Sequence, residues 1–313
     1  SLLDNDCLSP RLTAYFPPAV IQRYGHHLAH HPLRGDLLAT IIANEVVNAQ
    51  GITFVSRLAR ETGARLDQVT RAYLIARDST GATDRWGAVE ALDGQIDVVL
   101  QNELMVSVDT LVGQLARWYV LNDPEAPLGA TIAKLTPAVD ELEAALADRA
   151  TEVWRRNGEP EVDRLTDQGL ARDLAVRHAV QPELRNAANA LAIATRTGRG
   201  VREVASALLA VGEEIHLDSL EARLESVRTA NRHERWAKRA MRDELLELRG
   251  ALALAALVTS ETLDPAHAVA EFVATRHDEM ARLQSLVAAL AAEGEASLAE
   301  LTVATRSVRG LLR

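Results

Sequence analysis

Residues 31–63, HPLRGDLLATIIANEVVNAQGITFVSRLARETG, decide the fold predicted for this chain. After Pro32, apolar residues recur at three- and four-residue steps, which places them on one stripe of an α-helix: Leu33, Leu37, Leu38, Ile41 and Ile42. Gly51 follows where this helix would stop, because glycine adopts the left-handed conformation at a helix C-terminus without steric cost. A second helix is expected to start near Ile52. The stretch therefore predicts two helices joined by a short turn.

Polar side chains interrupt this apolar stripe in the second half of the first helix. Glu45 lies four residues after Ile41, and Thr40, Asn44 and Asn48 form the neighbouring row. Buried amides and carboxylates need hydrogen-bond partners. Two interpretations stay open: a buried network that fixes how two helices pack, or a site that binds a ligand or docks a partner. The candidate site consists of Asn44, Glu45, Asn48 and Gly51.

The composition favours helices over sheets. Apolar residues make up 48% of the chain and aromatic residues only 4%, and alanine and leucine dominate. We predict an all-α multi-helix bundle without a substantial β-sheet. A chain of 313 residues can form two packed helical subdomains, and the proline-rich turn at 122–127 suggests the boundary. The predicted subdomains are 1–125 and 126–313, the second with long helices.

Several segments predict particular helices. Residues 56–73 resemble a helix-turn-helix, with Gly63 in the turn. A seam at four- and three-residue steps, Leu104, Val108, Leu111, Leu115 and Trp118, indicates a bundle helix over 96–119. Thr136 and Pro137 predict a helix that starts there and runs to Arg156. Two long helices are expected over 231–258 and 267–292.

Charge and cysteine content narrow the class of protein. The formal net charge of −10 repels nucleic acids and anionic lipids, and no segment approaches the ~18 apolar residues of a membrane helix. Cys7 is the only cysteine, which excludes an intrachain disulfide and fits a cytoplasmic protein. The chain begins with Ser1 and has no secretory signal. We therefore expect a piece of a larger cytoplasmic protein.

A histidine cluster is the one candidate metal site. His26 and His30, and likewise His27 and His31, have the four-residue spacing that can hold a metal on a helix. No carboxylate completes a tetrahedral set nearby, and Pro32 ends the helix at once. Solvent-exposed histidines at a helix end are the alternative interpretation, and no metal is predicted.

The pattern Thr40-x-x-x-Asn44-Glu45-x-Val47-Asn48-x-x-Gly51-Ile52-Thr53-Phe54 resembles the C-terminal region of the large bacterial NAD-specific glutamate dehydrogenases. Two upstream motifs resemble the same region: Tyr15-Phe16-Pro17-Pro18 and His31-Pro32-Leu33-Arg34. The motifs cover about residues 1 to 125. Beyond them the resemblance lies in the helical pattern rather than in motifs. The resemblance implies a piece of a longer polypeptide whose dinucleotide-binding catalytic domain lies upstream. It also implies that the whole protein oxidatively deaminates L-glutamate to 2-oxoglutarate and ammonia with NAD.

The chain itself lacks the residues for that reaction. Such an enzyme needs a strand-based dinucleotide site, and lysines with an acid to bind the amino acid and move protons. The two lysines, Lys134 and Lys238, lie far apart in helical segments, and no Gly-x-Gly-x-x-Gly occurs. We therefore predict no catalytic, cofactor-binding or metal-binding residue here. The expected role is structural, in assembly or in regulation, with the catalytic domain as partner and a homo-oligomeric parent.

Two other functions remain as alternatives. The chain could be an independent helical scaffold for protein interactions. It could also be a transcription regulator that reads DNA with residues 56–73. The net negative charge of the chain and the absence of a flanking basic arm argue against DNA binding.

Overall fold

The computed structural model describes residues 2–28, 30–148, 158–293 and 296–313. These residues form α-helices and short 3₁₀ turns, and no β-strand occurs among them, which confirms the predicted all-α class. The α-helices in chain order are α1 (Ser9–Tyr15), α2 (Pro18–Leu28), α3 (Arg34–Gln50), α4 (Phe54–Thr62), α5 (Leu66–Ser79), α6 (Ala82–Glu90), α7 (Val98–Asn122), α8 (Leu128–Leu146), α9 (Glu159–Asp167), α10 (Arg172–Val180), α11 (Ala187–Thr197), α12 (Val201–Glu214), α13 (Leu217–Ser226), α14 (Arg232–Thr259), α15 (Pro265–Ala274), α16 (His277–Glu293) and α17 (Leu298–Gly310).

The chain forms two compact units. Unit 1 comprises residues 1–139 and 162–185, and unit 2 comprises residues 140–161 and 186–313. Two of the three bounds fall within α8 and α9, and the third falls in the 3₁₀ helix Gln181–Asn186. The subdomain boundary near residue 125 stays a prediction, and that position lies in the loop between α7 and α8.

Unit 1 is organised around α5 and α7, which share its largest helix interface. Four of the five seam residues predicted on α7 are buried, and Trp118 is half-buried. The facing helix α5 is buried along most of its length through a run of small and branched residues and one tyrosine: Val69, Ala72, Tyr73, Leu74, Ile75 and Ala76. The apolar periodicity of α7 therefore predicts its side of this core, whereas α5 is buried through a continuous run of residues.

Unit 2 has α12, α14 and α15 at its centre. The long helix α14 has buried residues only from Met241 onward, and its first turns carry none. Helix α12 contributes a buried stripe to the same core: Val201, Val204, Ala205, Ala207, Leu208 and Val211. The core thus contacts only the second part of α14.

The structure corrects the prediction of a helix that starts at Thr136 and Pro137. Helix α8 begins at Leu128 and passes through Pro137. Its buried residues follow one stripe on both sides of the proline, at Leu128, Leu135, Val139 and Leu142. This burial offsets the backbone hydrogen bond that proline removes, a cost of about 3 kcal/mol. The predicted helix end at Arg156 lies outside the described residues.

A second correction concerns the long helix expected over 267–292. The segment forms two helices, α15 and α16, which break at Thr275 and Arg276. The Arg276 guanidinium lies 3.6 Å from the centroid of the Phe272 ring, and its Nε donates to the Leu311 carbonyl at 2.6 Å. The contact with Leu311 spans 35 positions of the sequence, so helical periodicity could not reveal it.

Candidate functional site

Helix α3 carries the candidate site and has two different faces. Its buried face consists of Leu38, Ile41, Ile42 and Val46. Leu33, which was predicted to belong to this stripe, precedes the helix and is exposed. The polar residues of the site divide between the two faces, because Glu45 is half-buried whereas Asn44 and Asn48 are exposed. Only Glu45 can therefore belong to a network inside the unit.

Glu45 joins a half-buried cluster of charges that connects α1, α3 and α5. Its Oε2 accepts from Arg11 Nε at 3.1 Å and lies 3.7 Å from Arg77 Nε. Asp78 completes the cluster, since its Oδ1 accepts from Arg11 Nη2 and from Arg77 Nη1 at 3.0 Å. Two carboxylates thus face two guanidinium groups, which satisfies charges that would be costly to bury alone.

The electrostatics of this cluster follow from burial and charge pairing. Burial by itself would lower the pKa of Arg11, but the hydrogen bond and charge of Asp78, together with Glu45, raise it above its ordinary value. Burial raises the pKa of the neighbouring Tyr73 phenol. The Tyr73 hydroxyl donates to the backbone carbonyl of Glu45 at 3.4 Å. The raised pKa keeps Arg11 charged between its two carboxylate partners, and the Tyr73 hydrogen bond orients the α3 backbone.

The other face of α3 is exposed and carries no charge along its last three turns. Val47 is 43% exposed, and Ile52, in the turn that follows, is 83% exposed. We call this surface the α3 face, and its residues are Thr40, Ala43, Asn44, Val47, Asn48, Gly51 and Ile52. The side chains of Asn44 and Asn48 have no hydrogen bond among the described residues. The one hydroxyl of the face, that of Thr40, donates to the Asp36 carbonyl at 2.9 Å, and the other side chains of the face are amides or apolar groups suited to contact with another surface.

Gly51 and Gln50 fix the end of the α3 face. Gly51 has a positive φ of 82°, as predicted, but its ψ of 158° is extended rather than left-handed. Its N–H donates to the Val47 carbonyl at 3.0 Å. Gln50 Nε2 donates to the Asp109 carbonyl on α7 at 2.8 Å. The turn before α4 is thereby attached to the core helix of unit 1.

Asp109 also accepts a hydrogen bond through its side chain. Trp86 Nε1 donates to Asp109 Oδ1 at 3.0 Å. Burial raises the pKa of Asp109, and the hydrogen bond from Trp86 opposes this effect. Sequence reasoning missed Arg11, Asp78 and Gln50, because each acts through a residue more than thirty positions away.

The histidine cluster does not assemble a metal site among the described residues. The rings of His26 and His27 lie 3.9 Å apart, and His30 and His31 are exposed. His31 Nδ1 accepts from the Leu33 N–H at 3.1 Å. Across the described ranges, no group of three or more histidine, cysteine, aspartate or glutamate side chains is arranged to bind a metal ion.

The segment 56–73 forms the predicted helix pair, with Gly63 in the left-handed conformation between α4 and α5. Arginines of the second helix contact the loop at Glu125: Arg65 Nη2 lies 3.0 Å from Glu125 Oε1, and Arg71 Nη1 donates to the Glu125 carbonyl at 3.2 Å. The positive charge of this helix pair is therefore partly neutralised within unit 1.

The prediction that this chain has no hydride-transfer site concerns strands and lysines, whose places in the structure are as follows. The described part of the chain has no strand on which a dinucleotide loop could be built. Lys134 is exposed on α8, and Lys238 donates to the carbonyls of Glu225 and Val227 at 2.7 and 3.1 Å.

No single described helix is long and apolar enough to cross a membrane, and α3 and α4 meet that test only together, with an 85° bend between them.

Comparison with known proteins gives consistent matches. The sequence profile of the family described as "Glutamate dehydrogenase, C-terminal" matches residues 1–310. The NAD-specific glutamate dehydrogenase of Mycobacterium tuberculosis is 27% identical over 100% of this chain and 19% of its own length. The enzyme of the same name from Pseudomonas aeruginosa is 29% identical over 77% of the chain and 15% of its own length. The NAD-specific glutamate dehydrogenase of Halomonas elongata is 27% identical over 64% of the chain and 12% of its own length. The chain thus spans a fifth or less of these relatives.

Proposed function

Since the chain belongs to the family of glutamate dehydrogenase C-terminal regions, we propose that it is the helical C-terminal portion of a cytoplasmic NAD-specific glutamate dehydrogenase. The whole protein would oxidatively deaminate L-glutamate to 2-oxoglutarate and ammonia, with NAD bound outside this chain. The chain would contribute structure rather than chemistry. Its α3 face would dock against the catalytic part of the same polypeptide.

One observation carries this proposal: the residues of the family-like pattern are mostly exposed and uncharged. Thr40, Asn44, Val47, Asn48 and Ile52 all belong to both the pattern and the α3 face. A residue chosen only for packing inside this unit would be buried. Surfaces that become the centre of an interface are typically depleted in charge. The α3 face has this composition, with amides that can pair across an interface.

The apolar residues of the α3 face give the docking its free energy. Ile52 is 83% exposed, and full burial of an isoleucine side chain stabilises by about 1.5–3 kcal/mol. Val47, in the last turn of α3, adds a smaller area. The exposed amides of Asn44 and Asn48 would set the register of the contact, because they need partners once water is excluded.

The charged cluster beneath the face supports the same role. Arg11, Arg77 and Asp78 anchor Glu45 and hold α3 against α1 and α5. A face held rigidly before contact loses less conformational entropy on binding. The contacts around Glu45 thus preorganise the α3 face, and its exposed neighbours make the contact itself.

Cysteine labelling tests the docking directly. Asn48→Cys places a thiol on the α3 face, and Asn102→Cys places one on the exposed side of α7 as a matched control. Both variants are made in the 313-residue chain and in the whole protein that carries it, and maleimide labelling of each site is followed by peptide mass spectrometry. We expect Cys at position 48 to react several-fold more slowly in the whole protein, and the control site to react equally in both. Equal rates at position 48 would show that the α3 face stays open to solvent.

A further inference from the structure

An open cavity of about 410 Å³ lies in unit 2, where the end of α15, the start of α16 and the end of α17 meet. Its lining residues are Thr275, Arg276, Glu279, Gly310, Leu311 and Arg313. Two arginines and one glutamate thus line the same space. The volume falls within the range of about 300–1,000 Å³ that is usual for sites that bind small molecules.

Arg276 is held in one orientation at this cavity. Its Nε donates to the Leu311 carbonyl at 2.6 Å, and its Nη1 donates to the Phe272 carbonyl at 3.1 Å and to Thr275 Oγ1 at 2.9 Å. The guanidinium also stacks on the Phe272 ring. Its Nη2 has no hydrogen bond among the described residues and can donate to a ligand. A fixed guanidinium with a free donor is suited to binding a carboxylate.

Glu279 lines the same cavity without an ion pair. Arg276 lies three residues earlier, and residues at this spacing on a helix often pair when their charges are opposite. The Arg276 guanidinium is turned instead to the carbonyls of Phe272 and Leu311. Glu279 is half-buried, and its carboxylate has no hydrogen bond or ion pair within the part of the chain that the structure describes. A cationic ligand group would therefore stabilise it.

Arg313 adds a second cation to the lining. It is exposed, and its guanidinium has no hydrogen bond or ion pair among the described residues. A simple anion in the cavity would be attracted by the two arginines but repelled by Glu279, and a simple cation would meet the reverse. A ligand that carries both charges avoids either repulsion. The lining therefore favours a zwitterion.

We propose that this cavity binds a free α-amino acid. The ligand carboxylate accepts from Arg276 Nη2 and is approached from solvent by Arg313, and the ligand ammonium donates to Glu279. Residues three apart on a helix have Cβ atoms about 5–6 Å apart, so the two ligand charges must lie close together, as they do on one α-carbon. The proposal does not depend on docking by the α3 face, which lies in unit 1.

Amide hydrogen exchange, measured by mass spectrometry in the whole protein that carries this chain, tests the binding. The probe is L-leucine, whose side chain is uncharged, so its binding reports the two charges common to all α-amino acids. Two matched analogues each lack one charge: isocaproate has no ammonium, and isopentylammonium has no carboxylate. We expect L-leucine to slow exchange in peptides that cover residues 275–281 and 308–313. Either analogue should need a concentration about ten-fold higher or more for the same protection.

The analogues also decide against the proposal. Unchanged exchange in these two peptides with L-leucine overturns it. Protection by isocaproate at the same concentrations as L-leucine would show a site for simple anions, and it overturns the assignment to an amino acid as well.

Two pairs of variants identify the groups that bind. Glu279→Gln should weaken L-leucine binding about ten-fold or more, but should leave isocaproate binding unchanged or tighter because a repulsion is removed. Asp278→Asn removes the same charge at an adjacent exposed position outside the lining and should have little effect. Arg313→Gln should weaken both ligands, whereas Arg306→Gln, at an exposed arginine of α17, should weaken neither. Equal effects of Glu279→Gln and Asp278→Asn on L-leucine would show that Glu279 does not bind the ammonium, and the proposal would be wrong.

Discussion

Arg249 and Asp218 form a buried-to-surface ion pair that connects α14 to α13 in unit 2. Arg249 is only 1% exposed, and its Nη2 donates to Asp218 Oδ1 and lies 3.2 Å from Glu221 Oε2. Gly212 on α12 leaves the space for this pair, because a Cβ there would lie 2.5 Å from Arg249 Nη1. Three helices therefore meet at one guanidinium.

Gly212→Ala should strongly destabilise unit 2. The added methyl group would lie 2.5 Å from both Arg249 Nη1 and Asp218 Oδ1, so the ion pair must move or break. Overpacking or breaking a buried pair costs about 2–4 kcal/mol of the free energy of unfolding. Urea unfolding followed by far-UV circular dichroism measures the change.

Gly310→Ala is the matched control for that substitution. It lies on α17 in unit 2, and a Cβ there would meet nothing within 4 Å. We expect it to leave stability unchanged or to raise it by up to about 1 kcal/mol, because alanine loses less backbone entropy on folding. Equal effects of the two substitutions would mean that the space at Gly212 does not matter.

Glu45→Gln should destabilise unit 1 although the shape of the side chain is kept. The substitution removes one of the two carboxylates that face Arg11 and Arg77, and it leaves half-buried guanidinium groups with less compensation. We expect a loss of about 1–2 kcal/mol in the free energy of unfolding. Asn44→Ala, on the exposed side of the same helix, should change stability by less than about 0.5 kcal/mol. A loss at Asn44 as large as that at Glu45 would contradict the division of α3 into two faces.

Asp109→Asn should stabilise unit 1 at neutral pH. Because burial raises the folded-state pKa of Asp109 above its unfolded value, ionisation of this group favours the unfolded chain as the pH rises through the folded-state pKa. Asparagine removes that penalty, and its amide oxygen can still accept from Trp86 Nε1. The gain should be largest near pH 7 and should shrink as the pH is lowered toward 4. A gain that is independent of pH would contradict the assignment to ionisation.

The helices were predictable because their apolar spacing is local. The seam Leu104 to Leu115 and the two helices on either side of Gly51 follow from periodicity and turn chemistry alone. The failures have long-range causes. Pro137 remains inside α8, where residues on both sides of it are buried, and α15 ends where Arg276 reaches the Leu311 carbonyl. No local pattern shows either this burial or this hydrogen bond.

The candidate site was only partly predictable for the same reason. The spacing of Asn44, Glu45 and Asn48 showed polar residues beside an apolar stripe, but it could not tell which of them point inward. Glu45 is inward because Arg11 and Arg77 lie opposite it, and Arg11 is separated from Glu45 by 34 positions. The sequence predicted that Ile52 starts a helix. In the structure Ile52 lies in the turn after α3, and its side chain is exposed there.

Ile52→Asp tests the docking role by activity. In the 313-residue chain the substitution should leave the free energy of unfolding nearly unchanged, because the side chain is 83% exposed there. In the whole protein it would bury a carboxylate without a partner, and we expect loss of glutamate-dependent NAD reduction and faster proteolysis of this portion. Leu263→Asp, at a loop side chain that is 85% exposed, is the matched control and should retain activity. If both variants keep full activity and protease resistance, the α3 face does not dock against the catalytic part.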